Sequence, residues 1–176
     1  MRLFIGIKIP EELKQRIGSI QKELVKYCNI KLVESENLHF CLKFIGETNK
    51  INEIAESLYN IGFKKFDISI KGVVVFPGLD YIRIIGLESD SHEMKKLAGI
   101  INEELSKTGI PKEKREFKSH LTLGRVKSVS NREGLKKYLE RVNDVGKFTA
   151  DSFCIISSVL DKSGPKYKIE KEIELR

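Results

Sequence analysis

Two histidines occupy corresponding positions in two short motifs, His-Phe-Cys-Leu at 39–42 and His-Leu-Thr-Leu at 120–123. Alternate side chains of a β-strand point to opposite faces. Each motif therefore presents an imidazole and a thiol or hydroxyl on one face, with two apolar side chains behind. An imidazole with an unperturbed pKa of about 6.5 can accept or donate a proton near neutral pH. Two such groups facing each other would suit acid–base chemistry.

The reaction that best fits two facing imidazoles is an in-line displacement at phosphorus. One ring takes a proton from the attacking water or hydroxyl, and the other protonates the leaving oxygen. The Thr122 hydroxyl and the Cys41 thiol would donate hydrogen bonds to the non-bridging phosphate oxygens. No metal is required by this arrangement. A single histidine on a strand is more often structural than catalytic, so the hypothesis depends on His39 and His120 acting as a pair.

The spacing of the motifs belongs to a longer internal repeat. His120 follows His39 by 81 residues, and at the same offset residues 14–26 and 95–107 share six identities in thirteen positions. His92 has no counterpart and is expected on the surface. Two copies are too few for a solenoid, which needs about three repeats, but they can form a pseudo-symmetric protein around a cleft.

Hydrophobic periodicity and turn residues predict strands and helices in the same order in both halves. Strands are expected at 2–9, 30–33, 39–45, 66–76, 81–87, 119–126, 148–160 and 166–175, and helices at 10–28, 51–61, 91–107 and 132–142. This order predicts an α+β fold, a bilobal pseudo-two-fold duplication with two antiparallel sheets facing a central cleft and helices outside. One domain is expected over 1–176, with repeats at 1–78 and 79–160 and a C-terminal hairpin at 148–176 that turns at 161–165.

Composition narrows the possible partners and the cellular compartment. The chain has 176 residues, 32 Lys and Arg against 25 Asp and Glu, and a formal net charge of +7, which is compatible with a polyanion such as RNA. Three widely spaced cysteines argue for a reducing compartment and against a disulfide framework. The histidines lack the paired spacing of a structural zinc site. No apolar run is long enough to span a membrane, and without a targeting signal we expect a cytoplasmic protein.

The motifs and their flanks resemble the two-histidine phosphoesterase superfamily, whose mark is a pair of His-x-Thr-x motifs. The chain is most similar to the RNA 2′,3′-cyclic phosphodiesterases, also called 2′-5′ RNA ligases. The resemblance covers essentially the whole chain and is carried by Arg-Leu-Phe-Ile-Gly-Ile at 2–7, the segment 37–46, the segments 75–77 and 82–86, Phe-Lys-Ser-His-Leu-Thr-Leu-Gly-Arg-Val at 117–126, and Ser-Gly-Pro-Lys-Tyr at 163–167.

The resemblance implies hydrolysis of an RNA-terminal 2′,3′-cyclic phosphate to a 2′-phosphomonoester, with possible joining of 2′-5′ linkages and no cofactor. His39 would be the proton donor, His120 the proton acceptor, and Thr122 a phosphate ligand. Arg125 matches a phosphate-binding arginine of the family, although strand alternation points it away from His120 unless the strand ends or twists there. Cys41 departs from the family's Thr; it would be a weaker donor, or a reactive thiol.

Three alternatives remain open at this point. The substrate could be a small cyclic or 2′-5′ nucleotide instead of an RNA end. The protein could be a non-catalytic module that binds RNA ends, which its basic charge also fits. A metal-dependent hydrolase would be expected to show a carboxylate cluster, which the sequence lacks. We expect the protein to act as a monomer.

Overall fold

A computed structural model describes residues 1–162 and 164–176, so Ser163 in the expected turn at 161–165 lies outside the described residues. The helices are α1 Glu11–Leu24, α2 Ile51–Tyr59, α3 His92–Lys107 and α4 Arg132–Arg141, with a 3-10 turn at Ser35–Asn37. The strands are β1 Arg2–Lys8, β2 Cys28–Leu32, β3 His39–Glu47, β4 Phe66–Gly78, β5 Tyr81–Asp90, β6 His120–Val129, β7 Asn143–Ala150, β8 Ser152–Asp161 and β9 Gly164–Glu174.

Local sequence signals account for where the main helices begin and end. Pro10 precedes α1 in an extended conformation, and the carboxylates of Glu11 and Glu12 lie in the first turn, at the positive end of the helix dipole. The Ser91 hydroxyl caps α3 by accepting a hydrogen bond from the Met94 amide at 3.1 Å. Gly109 follows α3 with a φ of 83°, which suits glycine. No helix in the described ranges has the length and apolar character needed to cross a membrane.

The described strands form one curled sheet that consists of two antiparallel groups. The groups meet between β3 and β6. The order is β7-β4-β5-β6-β3-β1-β8-β9, and β2 pairs with β6. We call β3, β1, β8 and β9 the His39 lobe, and β7, β4, β5, β6 and β2 the His120 lobe. The lobes join where Phe40 of β3 pairs with Leu121 of β6; β6 then continues against β2 from Gly124 onward. The predicted bilobal arrangement is confirmed, with the two sheets joined at this contact.

The duplication exchanges strands between the lobes. One strand from each half of the sequence pairs with a strand of the other half: β4 pairs with β5 in the His120 lobe, and β8 pairs with β1 in the His39 lobe. Helices exchange in the same way, since α1 packs against β2, β6 and β7 whereas α3 packs against β3. Each lobe is therefore built from both halves of the sequence, which holds the two motif strands against each other.

Several boundaries differ from the sequence prediction: the helix expected to reach residue 28 ends at Leu24, and Cys28 already begins β2. The largest difference concerns the C-terminal hairpin. Residues 148–160 were expected to form a single strand at the start of the C-terminal hairpin, but the structure divides them at Asp151. The β7 strand pairs with β4 in the His120 lobe, and β8 pairs with β1 in the His39 lobe. The hairpin therefore begins at Ser152. The division arises because the chain changes lobes here, and no local turn signal marks that crossing.

The core lies between the helices and one face of the sheet. Phe40 and Leu42 of β3, and Leu121 and Leu123 of β6, are buried in it, as strand alternation predicts. Burying a side chain of this kind stabilises the fold by roughly 1.5–3 kcal/mol, so the motif strands are firmly held from behind. The opposite face of the same strands lines the cleft.

Candidate active site

His39 stands at the first position of β3 and is fixed by a backbone contact. Its Nδ1–H donates to the Asn37 carbonyl at 2.7 Å, because a carbonyl oxygen can only accept. The imidazole packs against the rings of Phe4 and Tyr167, with centroid distances of 4.6 and 5.5 Å. This arrangement selects the tautomer in which Nε2 is the nitrogen left for a substrate.

His120 repeats this arrangement at the first position of β6. Its Nδ1–H donates to the carbonyl of Lys118, also two residues earlier, at 2.9 Å. Its ring lies 5.0 Å from that of Phe76. Both imidazoles line one cavity of about 680 Å³, so the structure brings the two predicted residues together with the same nitrogen of each engaged by the backbone.

The surroundings of His39 hold its pKa below the ordinary value. Burial is the largest cause, because it disfavours the charged ring, and the positive charge of His120 acts in the same direction. The hydrogen bond to Asn37 opposes both effects. An anion bound between the two rings would favour the protonated form of His39 and so raise its pKa.

Cys41 and Thr122 lie on the cleft face, two residues beyond the histidines, and line the same cavity. Their strand partners are the glycines Gly6 and Gly86. A Cβ on Gly6 would lie 3.0 Å from the Phe40 carbonyl oxygen, and one on Gly86 would lie 2.8 Å from the Leu121 carbonyl oxygen. The missing side chains therefore allow the motif strands to approach closely in both lobes.

The Cys41 thiol stays protonated at neutral pH. Burial raises its pKa to about 11, and the backbone hydrogen bond at Lys43 only partly opposes this. A neutral thiol can donate a weak hydrogen bond to phosphate, whereas a thiolate would repel it. The structure therefore favours the weak-donor interpretation of Cys41 over a reactive thiolate.

Arg125 reaches the cavity through a β-bulge. Ile85 pairs with Gly124 but Gly86 pairs with Thr122, so Leu123 is an extra residue in β6. The extra residue shifts the strand's alternation, and Arg125 then lies on the face of Thr122 and lines the cavity. We expected Arg125 to reach the site only if β6 departed from simple alternation. The bulge at Leu123 supplies that departure.

Several cavity residues were not singled out from the sequence. Tyr167 and Pro165 come from the start of β9, Asn37 from the 3-10 turn, and Lys31 from β2. The Asn37 side chain donates to the Pro165 carbonyl at 3.1 Å, which ties the segment before His39 to the hairpin. The segment 163–167 carried part of the family resemblance, and this was the available signal for Tyr167.

Two other features of the described residues bear on the site. Across 1–162 and 164–176, no three side chains of His, Cys, Asp or Glu come together as a metal site would need. A second cavity, of about 550 Å³, lies where Arg16 and Tyr27 face Lys137 and Tyr138. None of the five predicted site residues lines it. His92 is exposed at the start of α3, as predicted.

Comparison with known proteins identifies relatives along the whole chain. The family model described as LigT like Phosphoesterase matches twice, at residues 7–86 and 85–167. An RNA 2′,3′-cyclic phosphodiesterase of Methanocaldococcus jannaschii is 39% identical over 98% of this chain and 99% of its own length. A protein of the same description from Thermotoga maritima is 34% identical over 99% of this chain and 95% of its own.

Solved structures support the fold. TT0787 of Thermus thermophilus superposes with a TM-score of 0.86 at 22% identity, covering 100% of this chain and 98% of its own. Apo LigT of Escherichia coli gives 0.80 at 20% identity, covering 99% and 96%. With a cavity that gathers both motif histidines and with a family model that matches each half in turn, the chain belongs to the LigT-like phosphoesterases of the two-histidine superfamily.

Proposed function

We propose that this protein hydrolyses the 2′,3′-cyclic phosphate at the 3′ end of RNA and leaves a 2′-phosphomonoester. The observation that carries the proposal is the matched pair of imidazoles, His39 and His120, which line one cavity with each Nδ1 held by a backbone carbonyl. The relatives described as RNA 2′,3′-cyclic phosphodiesterases support this choice of substrate.

The reaction follows from the placement of these groups. His120 takes a proton from water, whose oxygen attacks the phosphorus as the bond to O3′ breaks. His39 donates its proton to O3′, which becomes a free hydroxyl, and the phosphate stays on O2′. Thr122 and the neutral Cys41 thiol donate hydrogen bonds to the non-bridging oxygens, where negative charge develops. Arg125 supplies positive charge to the same group.

The same residues can join RNA ends. If the 5′-hydroxyl of a second RNA takes the place of water, His120 deprotonates it and the attack on phosphorus forms a 2′-5′ linkage. His39 again protonates O3′. No nucleotide cofactor is consumed, because the bond to O3′ in the strained cyclic ester is exchanged for the new one. In the reverse reaction His39 takes the proton from the O3′ hydroxyl, O3′ attacks the phosphorus, and His120 protonates the departing 5′ oxygen, which cleaves the 2′-5′ linkage.

We also infer that one chain is sufficient for activity. Both histidines come from the same protomer, which supports a working monomer built as one bilobal domain over 1–176, with repeats at 1–78 and 79–160. The three cysteines are free thiols, which suits a reducing cytoplasm.

The proposal is tested by incubating the protein with a defined RNA carrying a 2′,3′-cyclic end and mapping the terminal phosphate. We expect a 2′-phosphate, formed at the same rate when a metal chelator is present. Binding without turnover would favour a non-catalytic RNA-end module. Turnover of cyclic mononucleotides without turnover of the RNA would favour a small nucleotide substrate. Loss of activity with chelator would indicate a metal-dependent hydrolase.

A further inference from the structure

Lys31 lies beside Arg125 on the wall of the active-site cavity. The two residues pair directly across β2 and β6, so their side chains share the cleft face of the sheet. Adjacent strands are only about 4.8 Å apart. Both side chains line the cavity that holds His39 and His120. Two cations are therefore placed next to each other at the substrate site.

This juxtaposition is not explained by the stability of the fold. Like charges directly opposite each other in a strand pair are destabilising. Glu34 and Glu36 also line the cavity. Within residues 1–162 and 164–176, however, no carboxylate oxygen lies within 4.0 Å of the Lys31 ammonium or the Arg125 guanidinium. Lys166, by contrast, is paired with Asp161 at 2.6 Å.

The Lys31 side chain reaches toward the hairpin that closes this side of the cavity. Its ammonium nitrogen would lie 3.5 Å from a Cβ placed on Gly164, at the first position of β9. Because glycine has no side chain, the space beside the ammonium stays open. Leu121 and Arg125 both pair with β5 on one edge of β6, so β3 and β2 share the opposite edge. Lys31 therefore lies beside Arg125, farther along β6 from His120.

We propose that Lys31 binds a second phosphate of the substrate, the one on the 5′ oxygen of the terminal nucleotide. This inference rests on the proposed function. The cyclic phosphate lies between the histidines, and the RNA chain leaves the site past Arg125 toward β2. Lys31 then meets the phosphodiester that joins the terminal nucleotide to its neighbour. The subsite makes the enzyme prefer a chain end over a free nucleoside cyclic phosphate.

The test compares substrates that differ by this phosphate. They are adenosine 2′,3′-cyclic phosphate, the same compound with a 5′-phosphate, and the dinucleotide with a 2′,3′-cyclic end. In the wild type, kcat/KM should rise when the 5′-phosphate is added. Lys31→Gln should lower kcat/KM for the two longer substrates about tenfold more than for the nucleoside, since a charge-assisted contact is lost. Lys31→Arg should restore most of the preference.

The salt dependence of kcat/KM measures directly whether Lys31 contacts a phosphate of the substrate. For the dinucleotide, Lys31→Gln should reduce the slope of log(kcat/KM) against log[salt] by about 0.7, the value for one phosphate contact to a single strand. Lys22→Gln is the control, because Lys22 is an exposed residue on α1 that does not line the cavity.

The outcomes separate this inference from the function on which it rests. If the wild type hydrolyses all three substrates and Lys31→Gln affects them equally, or no more than Lys22→Gln does, the second-phosphate subsite is wrong and the proposed function stands. If the wild type hydrolyses none of them, the proposed function is overturned and this inference with it.

Discussion

The two lobes hold their histidines on the same backbone frame but surround them differently. In both, Nδ1 donates to the carbonyl two residues earlier, and a glycine faces the residue two positions later. His39 is enclosed by Phe4 and Tyr167, whereas His120 has the ring of Phe76 beside it. The backbone contact decides where each Nε2 lies, and burial among the neighbouring side chains lowers the pKa of His39.

Both motif strands also contain a β-bulge, at the same position of the repeat. In the His39 lobe, Ile5 pairs with Lys43 and Gly6 with Cys41, so Leu42 is the extra residue, as Leu123 is in the His120 lobe. Arg125 therefore has Phe44 as its counterpart, since 125 − 81 = 44. Phe44 is 62% exposed. The duplicated backbone presents a cation in one lobe and an aromatic ring in the other, so positive charge is concentrated on the His120 side.

If the two histidines act as a pair, removing either imidazole should lower kcat to a similar extent, although their surroundings differ. His39→Ala and His120→Ala are each expected to lower kcat by at least about 10²-fold, the scale of lost acid–base catalysis. Steady-state kinetics on a cyclic-ended RNA measure this, with His92→Ala as the control because His92 is exposed on α3. Near-full activity in either active-site variant would refute the pairing.

Substituting Gly6 and Gly86 tests whether the motif strands approach their neighbouring strands equally closely in the two lobes. A Cβ at Gly86 would meet backbone at 2.8 Å, closer than the 3.0 Å at Gly6. Gly86→Ala is therefore expected to lower the free energy of unfolding by about 1–3 kcal/mol, the usual cost of overpacking. Gly6→Ala should cost less. Denaturant unfolding measures both, and equal stability of Gly86→Ala and wild type would show that the close approach is not required.

Exchanging Cys41 and Thr122, the proposed phosphate ligands, tests the chemical difference between the motifs. A hydroxyl donates more strongly than a thiol, so Cys41→Thr should keep or raise kcat/KM. Thr122→Cys should lower it about tenfold, on the scale of a hydrogen bond to a charged group. Both are measured with the same RNA substrate. A tenfold or greater loss in Cys41→Thr would mean that the thiol is specifically required.

The burial of His39 can be tested through pH dependence. A proton donor must be protonated, so activity falls as pH rises through its pKa, and kcat/KM reports the free enzyme. Burial lowers the pKa of His39. Tyr167→Ala exposes the ring and should raise that pKa, which moves the alkaline limb of the kcat/KM profile to higher pH.

Tyr167→Phe is the matched control for this shift, because it keeps the ring that packs on His39. Its alkaline limb should stay at the wild-type pH. If the acidic limb moves upward in Tyr167→Ala instead, His39 is the proton acceptor, and the roles of the two histidines are reversed.

Much of the site could be predicted because its signals are local. The 81-residue offset and strand alternation identified both histidines and their companions Cys41 and Thr122, and hydrophobic periodicity located the four helices of the described chain within a few residues. Capping and turn residues act over a few positions, so they can be recognised in a single sequence.

The position of Arg125 could not be derived in this way. It depends on a bulge at Leu123, and a bulge is a property of two paired strands, since the extra residue exists only relative to β5. The division of residues 148–160 into β7 and β8 has a similar origin, because the two strands belong to different lobes.

The sequence by itself determined the chemistry: two imidazoles on equivalent strands, a hydroxyl and a thiol beside them, and apolar residues behind. Tertiary structure decided how these groups differ. It enclosed His39, kept the Cys41 thiol neutral and placed Lys31 beside Arg125. The physical reason is that residue type and alternation are encoded locally, whereas proton affinity and charge proximity depend on desolvation and on neighbours that are distant in sequence.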